Sequence, residues 1–255
     1  QILANLSRKR SMAEGFTILI PARIGSERLP RKLLQEVGNK TVIQMTWERC
    51  KQSNANEVIV VTDSDEIFRH ISNLGGKAFL SKNKHDSGTD RVQEYVESVG
   101  YKSEAVVINV QGDEPLIDIE AVNELGDFMH ANKYKYGTIA RHFSSNADLL
   151  DPNKVKVIIN DDNSALEFFR DTPVVVKDFS KLVLHHLGIY AYQVDFLNTF
   201  SGLSKTENEI SLKLEQMRAL DNGLPLHVLE LNLDESWGID TKEDLIRLRS
   251  HLKLN

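Results

Sequence analysis

A group of cationic side chains follows the first apolar run of the sequence. The segment PARIGSERLPRKLL, residues 21–34, contains Arg23, Arg28 and Lys32 around Gly25. Guanidinium and ammonium groups, together with backbone N–H groups exposed near a glycine, are suited to binding the oxygens of a polyphosphate. The glycine spacing differs from that of a P-loop. Charge alone favours the alternative interpretation, which is a solvated basic loop between a strand and a helix.

Two aspartates occupy positions suited to a divalent cation. Asp113 lies in the segment NVQGDEP, residues 109–115, which ends an apolar strand with a polar turn where Gly112 permits close approach of the backbone. Carboxylate oxygens are ligands that Mg²⁺ prefers, so Asp113 is the leading candidate for a metal ligand. Asp240 precedes Thr241, which the pattern WGIDTKEDL predicts as a helix N-cap. Capping alone explains that motif, but it leaves Asp240 free to complete a carboxylate pair.

A third segment, DSGTDR at residues 86–91, is typical of a turn that begins a helix. Its exposed N–H groups and Arg91 could hold an anionic or hydrogen-bonding ligand. A plain helix start is an equal alternative, because serine, threonine and aspartate are ordinary capping residues.

These segments require a scaffold that brings them together, and the apolar pattern predicts one. Short apolar strands alternate with amphipathic helices, which implies a parallel sheet with right-handed crossovers. Ligands of such sheets bind at the carboxyl ends of the strands, where the basic loop and Asp113 are expected. The predicted strands of this half span residues 17–20, 58–61, 77–80 and 105–110, and the predicted helices span residues 41–52, 65–74 and 90–98.

Beyond residue 120 the pattern becomes mixed, without repeats or low-complexity segments. Strands are predicted at residues 136–142, 155–159, 187–192 and 227–231, and helices at residues 195–200, 209–220 and 242–252.

Length and composition limit the class of protein. With 255 residues and 41% hydrophobic content, the chain can bury the core of one main domain, preceded by a flexible tail over residues 1–15. A net charge of −6 gives no general attraction to nucleic acid or to membranes. A single cysteine, Cys50, excludes an intrachain disulfide framework and fits a reducing compartment. No apolar run reaches the length of a membrane span, so we expect a cytoplasmic protein.

The motifs in this order, together with DPNKVKV, HHLGIYAY at residues 185–192 and LEQMR at residues 214–218, resemble those of the CMP-Kdo synthetases, the 3-deoxy-manno-octulosonate cytidylyltransferases. The resemblance runs from about Phe16 to the C-terminus. It implies a three-layer α/β nucleotidyltransferase fold, Rossmann-like with a mostly parallel central sheet, and a small sugar-binding and dimerisation lobe at about residues 140–195. It also implies a homodimer that transfers CMP from CTP to the anomeric hydroxyl of Kdo or a Kdo-like acid, with Mg²⁺ as cofactor and release of pyrophosphate.

The resemblance also implies a role for each matching position. The residues expected to act in catalysis are Arg23, Lys32, Asp113 and Asp240, of which Asp113 and Asp240 would hold the metal. The residues expected to bind the nucleotide are Pro21, Ala22, Arg23, Ser26, Arg28, Lys32, Ser87, Gly88, Thr89, Arg91 and Asp113. The residues expected to bind the sugar are Gln111, Arg170, His186, Tyr190 and Glu209, with Arg170 and His186 as partners of its carboxylate.

Several positions depart from the usual family pattern. Arg31 replaces a glycine of the basic loop, and Asp86 replaces a glutamine beside the predicted nucleotide site. On the sugar side, Glu167 and Phe169 flank the retained arginine, and Leu212 stands in place of an acid. These changes favour an acceptor that is a Kdo variant, such as an amino-substituted octulosonate.

Two alternatives remain at this point. The first is a cytidylyltransferase for a nine-carbon acid of the neuraminate type, which uses a similar phosphate loop. The second is a non-catalytic nucleotide-binding homologue, which the retention of Asp113 and Asp240 disfavours. The connection after Arg170 is also shorter than the family usually has, which affects the sugar lid and dimer contacts expected there.

Overall fold

The computed structural model describes residues 15–85, 87–171, 183–234 and 236–254. The predicted tail, apart from Gly15, lies outside the described residues, as does Asp86. The strands are β1 (Phe16–Ala22), β2 (Glu36–Val37), β3 (Lys40–Thr41), β4 (Glu57–Thr62), β5 (Lys77–Leu80), β6 (Val106–Asn109), β7 (Tyr136–Arg141), β8 (Lys156–Ile159), β9 (Ala165–Phe169), β10 (Val183–Gln193) and β11 (His227–Glu230). The helices are α1 (Val42–Cys50), α2 (Asp65–Asn73), α3 (Gly88–Val99), α4 (Ile119–Asn132), α5 (Asn146–Leu150), α6 (Val194–Ser201), α7 (Glu207–Leu212), α8 (Met217–Asp221) and α9 (Lys242–His251).

The main sheet has the strand order β11-β7-β10-β6-β1-β4-β5. Neighbouring strands run parallel from β5 through β4 and β1 to β6, whereas β10 is antiparallel to both β6 and β7. This is the mixed α/β fold with a mostly parallel central sheet that the sequence predicts. Because β1, β4 and β6 share one direction, the loops after them meet at the same edge of the sheet.

Two buried clusters lie on the two faces of the sheet, because the central strands are apolar on both sides. Ile18 and Ile20 of β1 belong to one cluster, and Leu19 belongs to the other. All three side chains are fully buried. The rigid centre of the sheet therefore supports the loops at its carboxyl edge.

Helix capping explains where several helices begin. The side chains of Ser64, Ser87 and Thr241 each accept a hydrogen bond from a backbone N–H three residues on, which satisfies a donor of the first helical turn. Thr241 forms a complete capping box with Asp244, as the motif predicts. The same cap turns the chain at Asp240, immediately before α9.

The second half of the chain differs in places from the prediction. The helix predicted over residues 209–220 is wrong, because Lys213 adopts a left-handed conformation with φ of 54° and separates α7 from α8. Sequence patterning also missed α4 and β9. Within the described residues, no helix is long and apolar enough to cross a membrane.

Strand β10 is longer than predicted and carries an irregularity. Its register shifts between His186 and Tyr190, and Gly188 lies there with a positive φ of 71°. A bulge of this kind re-aims side chains, and glycine adopts such a conformation without the penalty that a Cβ brings. The β8–β9 ribbon extends from β10 through antiparallel pairing.

Candidate active site

The carboxyl edge of the sheet joins two segments that are far apart in the sequence. Asp113 follows β6, and Asp240 lies just before α9. The backbone N–H of Ile239 donates a hydrogen bond of 2.8 Å to the carbonyl of Asp113. This main-chain contact places the two aspartates side by side.

Lys32 joins the two carboxylates. Its Nζ donates to Oδ2 of Asp113 and, at 3.0 Å, to Oδ1 of Asp240. Arg28 approaches the same Oδ1 of Asp240 at 3.0 Å. Burial by itself would lower the pKa of Lys32, but the two carboxylates outweigh it and the pKa is raised. Burial would raise the pKa of Asp240, but Lys32 and Arg28 outweigh it and the pKa is lowered.

These residues fit a magnesium ion. Asp113 and Asp240 converge on one point, which the Nζ of Lys32 marks. Mg²⁺ is commonly held by one or two carboxylates while water and substrate phosphates complete its shell. Within the described residues no third histidine, cysteine or acid completes a metal-binding group with them. Two carboxylates would leave most positions of such an ion open to water or to phosphate oxygens.

Two glycines permit the close packing around the carboxylates. A Cβ on Gly112 would lie 3.0 Å from Ile43 and 3.2 Å from the carbonyl oxygen of Pro21. A Cβ on Gly238 would lie 2.8 Å from Oε1 of Glu114. Burial, together with the charges of the two neighbouring aspartates, raises the pKa of Glu114 to about 8. The Glu114 carboxyl group is consequently neutral at pH 7 and adds no third charge to the pair.

The basic loop, residues 21–34, forms one side of a cleft of 690 Å³ next to the aspartates. We call it the phosphate cleft, because the sequence predicts phosphate binding by this loop. The cleft has cationic groups on the loop side and carboxylates opposite them. The residues predicted for catalysis or nucleotide binding that line this cleft are Pro21, Arg23, Ser26, Arg28, Lys32, Asp113 and Asp240.

Arg31, which departs from the family pattern, adopts a left-handed conformation with φ of 53° and ψ of 35°. Glycine adopts this conformation without a steric penalty, which explains why glycine is usual at this position. The Arg31 guanidinium turns away from the cleft and pairs with Glu66 of α2. The added charge therefore lies outside the phosphate cleft.

A smaller cleft of 180 Å³ opens beside the N-terminus of α3. Ser87, Gly88 and Arg91 line it, as predicted, together with Pro21 and Arg23. Arg91 is 3% exposed and pairs with Asp63 at 2.9 Å, an ion pair that fixes its guanidinium.

Two predicted nucleotide residues have other surroundings. Ala22 is buried at the end of β1 opposite Thr62, so only its main chain is available to a ligand. Thr89 is 2% exposed, and its hydroxyl donates to Glu215 at 2.6 Å. His85, which the sequence did not single out, lines the smaller cleft and contacts Glu94 at 2.6 Å.

A third cleft, of 580 Å³, lies between β10, the β8–β9 ribbon and the α7–α8 connection. We call it the sugar-side cleft, because most of the predicted sugar residues line it. Four of the five predicted sugar residues line it, namely Gln111, Arg170, His186 and Tyr190. Gln111 also lines the other two clefts, and Asp240 lines both this cleft and the phosphate cleft. The three clefts therefore meet at Gln111, and the two larger ones also share Asp240.

Glu209 is the predicted sugar residue that the structure places elsewhere. It is 7% exposed, and both of its oxygens accept hydrogen bonds from Arg218, at 2.8 and 2.5 Å. It also closes a capping box with Thr206 at the start of α7. Glu209 has a structural role, and its carboxylate is not directed into the cleft.

The sequence analysis did not identify two cleft residues that follow Glu209 in the chain. Glu215 and Gln216 line the sugar-side cleft, and Gln216 accepts a 2.9 Å hydrogen bond from the hydroxyl of Tyr190. Both belong to the motif LEQMR, so the signal was present. The helix predicted across residues 209–220 concealed it, because only the break at Lys213 turns this motif toward the cleft.

One of the two histidines that line this cleft, His186, is uncharged at neutral pH. His186 is 6% exposed, and burial lowers its pKa to about 3, with a smaller contribution from His185. The hydroxyl of Thr138 donates to the Ile189 carbonyl at 2.7 Å and lies 2.9 Å from Nε2 of His186. Nε2 is therefore the protonated nitrogen. A neutral imidazole can form a hydrogen bond but carries no charge for a carboxylate, so the expected pairing depends on Arg170.

Comparison with known proteins places this site in a family. Residues 17–231 match the model of the cytidylyltransferase family. A 3-deoxy-manno-octulosonate cytidylyltransferase from Thermodesulfovibrio yellowstonii is 42% identical over 240 residues, which cover 89% of this chain and 94% of that protein. The corresponding enzyme from Saccharophagus degradans is 36% identical and covers 93% of this chain and 98% of its own length.

A solved structure agrees with these matches. The CMP:2-keto-3-deoxy-manno-octonic acid synthetase complexed with CTP superposes with a TM-score of 0.86 at 34% identity. The match covers 94% of this chain and 98% of that one. Both the sequence and the fold are thus shared with that group of proteins over almost the whole chain.

Replacing His186 with glutamine should remove part of the acid sensitivity of the fold. Between the unfolded pKa near 6.5 and the folded pKa of about 3, the unfolded chain binds a proton that the folded protein does not, so stability falls as the pH is lowered through this range. From about pH 7.5 to about pH 5, wild type should lose about 2 kcal/mol more free energy of unfolding than His186→Gln. Urea unfolding at both pH values measures this difference, and equal losses would contradict a neutral His186.

Proposed function

The chain belongs to the cytidylyltransferase family, and on that premise we propose that it transfers CMP from CTP to the anomeric hydroxyl of 3-deoxy-manno-octulosonate (Kdo), with release of pyrophosphate. It is a nucleotidyltransferase of the 3-deoxy-manno-octulosonate cytidylyltransferase type. The named relatives and the CTP complex support CTP as donor and Kdo as acceptor.

The observation that carries this proposal is the position of Asp240 on the wall shared by two clefts. One cleft is lined by the cations of the basic loop, and the other by the sugar-side residues. A phosphate in the first cleft and a hydroxyl in the second would meet beside Asp240 and Asp113. Reactants brought together in this way react in an effectively unimolecular step.

The triphosphate would occupy the larger cleft next to the basic loop. Arg23, Arg28 and Lys32 supply positive charge there, and two of these, Arg28 and Lys32, are now paired with carboxylates. The cytidine would extend toward the smaller cleft, where Arg91 is fixed by Asp63 and Ser87 begins α3. The small volume of 180 Å³ suits a pyrimidine ring rather than a larger group.

The acidic sugar would occupy the remaining cleft. Arg170 supplies a guanidinium for its carboxylate, while Gln111, His186 and Tyr190 supply neutral hydrogen-bonding groups for hydroxyls. Glu215 adds a carboxyl group whose pKa burial raises, although the hydroxyls of Thr89 and Ser87 and the charge of Arg218 oppose the shift.

The reaction needs positioning and charge stabilisation more than covalent chemistry. The acceptor oxygen forms a bond to the α-phosphorus, the bond from that phosphorus to the β-phosphate bridging oxygen breaks, and the acceptor proton leaves to solvent. Mg²⁺ held by Asp113 and Asp240 would stabilise phosphate charge and lower the pKa of the attacking hydroxyl. Lys32 and Arg28 hold the charge that develops on the departing pyrophosphate. Buried Cys50 takes no part, since burial raises its pKa to about 12.

The carboxylate pair provides the first test of this function. Asp113→Asn and Asp240→Asn should each lower pyrophosphate release from CTP and Kdo by about 10³-fold, because each substitution removes a charged metal ligand. The matched control is Asp65→Asn, which changes an exposed carboxylate paired with Arg69 on α2 and should leave the rate within about twofold. Normal turnover in either site variant would remove that residue from the metal site.

The acceptor is the second point to test. The carboxylates of Asp118 and Asp240 line the sugar-side cleft beside the neutral carboxyl group of Glu114, so an ammonium substituent on the acceptor would find a carboxylate. Of the departures expected to favour such a variant, Leu212, Glu167 and Phe169 do not belong to that lining, and Asp86 lies outside the described residues. We therefore propose Kdo as the principal acceptor. Rates of pyrophosphate release with Kdo, an amino-substituted octulosonate and a neuraminate measure the preference, and faster turnover of either analogue would overturn it.

We also propose that the protein is a homodimer, as family membership implies. Two large apolar residues of the predicted lobe, Leu150 of α5 and Leu166 of β9, are 67% and 59% exposed, which is consistent with an interface nearby. Light scattering coupled to size exclusion should give twice the chain mass of 28.9 kDa. A mass of one chain at micromolar concentration would contradict this.

A further inference from the structure

A lysine inside the lobe has unusual surroundings. Lys156, the first residue of β8, is 0% exposed. Its ammonium donates to two main-chain carbonyls, those of Asp151 at 2.6 Å and Arg170 at 2.7 Å. Burial is the largest influence on its pKa and lowers it, while the more distant charges of Asp151 and Asp171 oppose the shift. Burial of an ammonium group is unfavourable unless hydrogen bonds or an opposite charge compensate the loss of its hydration.

The two carbonyls that Lys156 binds belong to two segments beside the sugar-side cleft. Asp151 begins the turn that leads to Asn153 and Lys154, and both of these line the cleft. Arg170 directly follows β9 and also lines it. Lys156 therefore connects the turn to the end of the neighbouring strand from behind the cleft.

The guanidinium of Arg170 makes contacts with a third segment beside the cleft. Its Nε donates to the carbonyl of Leu212 at 2.8 Å, and its two Nη atoms approach the carbonyls of Pro152 and Lys213, each at 3.3 Å. Lys213 begins the lining segment that contains Glu215. Within the described residues, these contacts use three of the five N–H donors of a guanidinium.

Two cations thus bind five carbonyls from three segments of one cleft. Carbonyl dipoles satisfy the hydrogen-bonding groups of Lys156 and Arg170 without cancelling their charge, and within the described residues no carboxylate lies within 4 Å of either cation.

We propose that Lys156 is a positioning residue for the acceptor: it holds the Asp151 turn and the main chain of Arg170 so that the Arg170 guanidinium meets the sugar carboxylate. The identity of the acceptor rests on the proposed function. The positioning of the cleft walls does not, because it follows from the contacts of Lys156 alone.

Two variants separate this role from general stability. Lys156→Met keeps a long unbranched side chain but removes the charge and its three donors. Val157→Ala, the matched control, truncates the next residue of β8, which is equally buried and belongs to the core on one face of the sheet. Val157→Ala should lower the midpoint of unfolding without changing the contacts of Asp151 and Arg170.

The kinetic measurement is the KM for each substrate at saturating concentration of the other. Lys156→Met should raise the KM for Kdo by about tenfold and leave the KM for CTP within about twofold, because a shift of about 1 Å in an orienting group is enough for such a loss. Val157→Ala should leave both KM values near those of wild type. Equal changes in both KM values, or no change in either, would overturn the proposal.

A second measurement does not depend on turnover. Amide hydrogen exchange should become faster in residues 151–155 and 165–170 of Lys156→Met, and not in the same residues of Val157→Ala. If wild type fails to release pyrophosphate with CTP and Kdo, the proposed function is wrong, and the exchange data still test the positioning role. Unchanged exchange in Lys156→Met would overturn that role whatever the activity.

Discussion

The site depends on holding two carboxylates together at one edge of the sheet. Asp113 and Asp240 repel each other, and their side chains remain 25% and 50% exposed. The hydrogen bond from Ile239 to the Asp113 carbonyl fixes the distance between the two backbones, so the repulsion cannot be relieved by movement of either segment. The charge of Lys32, whose side chain is 15% exposed, compensates it instead. This ammonium lies between the two carboxylates, at the position suited to a divalent cation.

The rest of the architecture can be understood from that constraint. Strand β6 must end in a turn that approaches its neighbours closely, which Gly112 allows, and the chain must return before α9 to supply Asp240. Glu114 lies against the same pair, but burial and repulsion hold its pKa near 8, so the local charge stays at two carboxylates. Parallel strands make this possible, because their carboxyl ends gather segments that are distant in the sequence at one edge.

The first half of the fold was predictable because its information is local. Apolar runs such as residues 17–20 identify buried strands, and capping residues identify the helix starts between them. This order of elements predicts the carboxyl edge of the sheet and places Lys32 and Asp113 there. The sugar-side cleft depended on features without such a signal. The left-handed conformation of Lys213 breaks a periodic helical pattern and turns Glu215 toward the cleft. Of the residues that the resemblance predicts for the sugar, Arg170 and His186 line this cleft, whereas Glu209 is paired with Arg218 and lies outside its lining.

The cations of the phosphate cleft and those beside the sugar-side cleft have different hydrogen-bond partners. Lys32 and Arg28 are paired with carboxylates, so a triphosphate entering the basic loop must compete with Asp113 and Asp240 for these cations, and a divalent metal that takes over the carboxylates would release them. Arg170 and Lys156 are bound by carbonyl dipoles, which need not be displaced when an anion arrives. The guanidinium of Arg170 would therefore be available to an anion without the loss of an ion pair. Under the proposed function, the phosphate cleft would reach its binding arrangement when metal and nucleotide enter together, which would link the metal to recognition of the nucleotide as well as to chemistry.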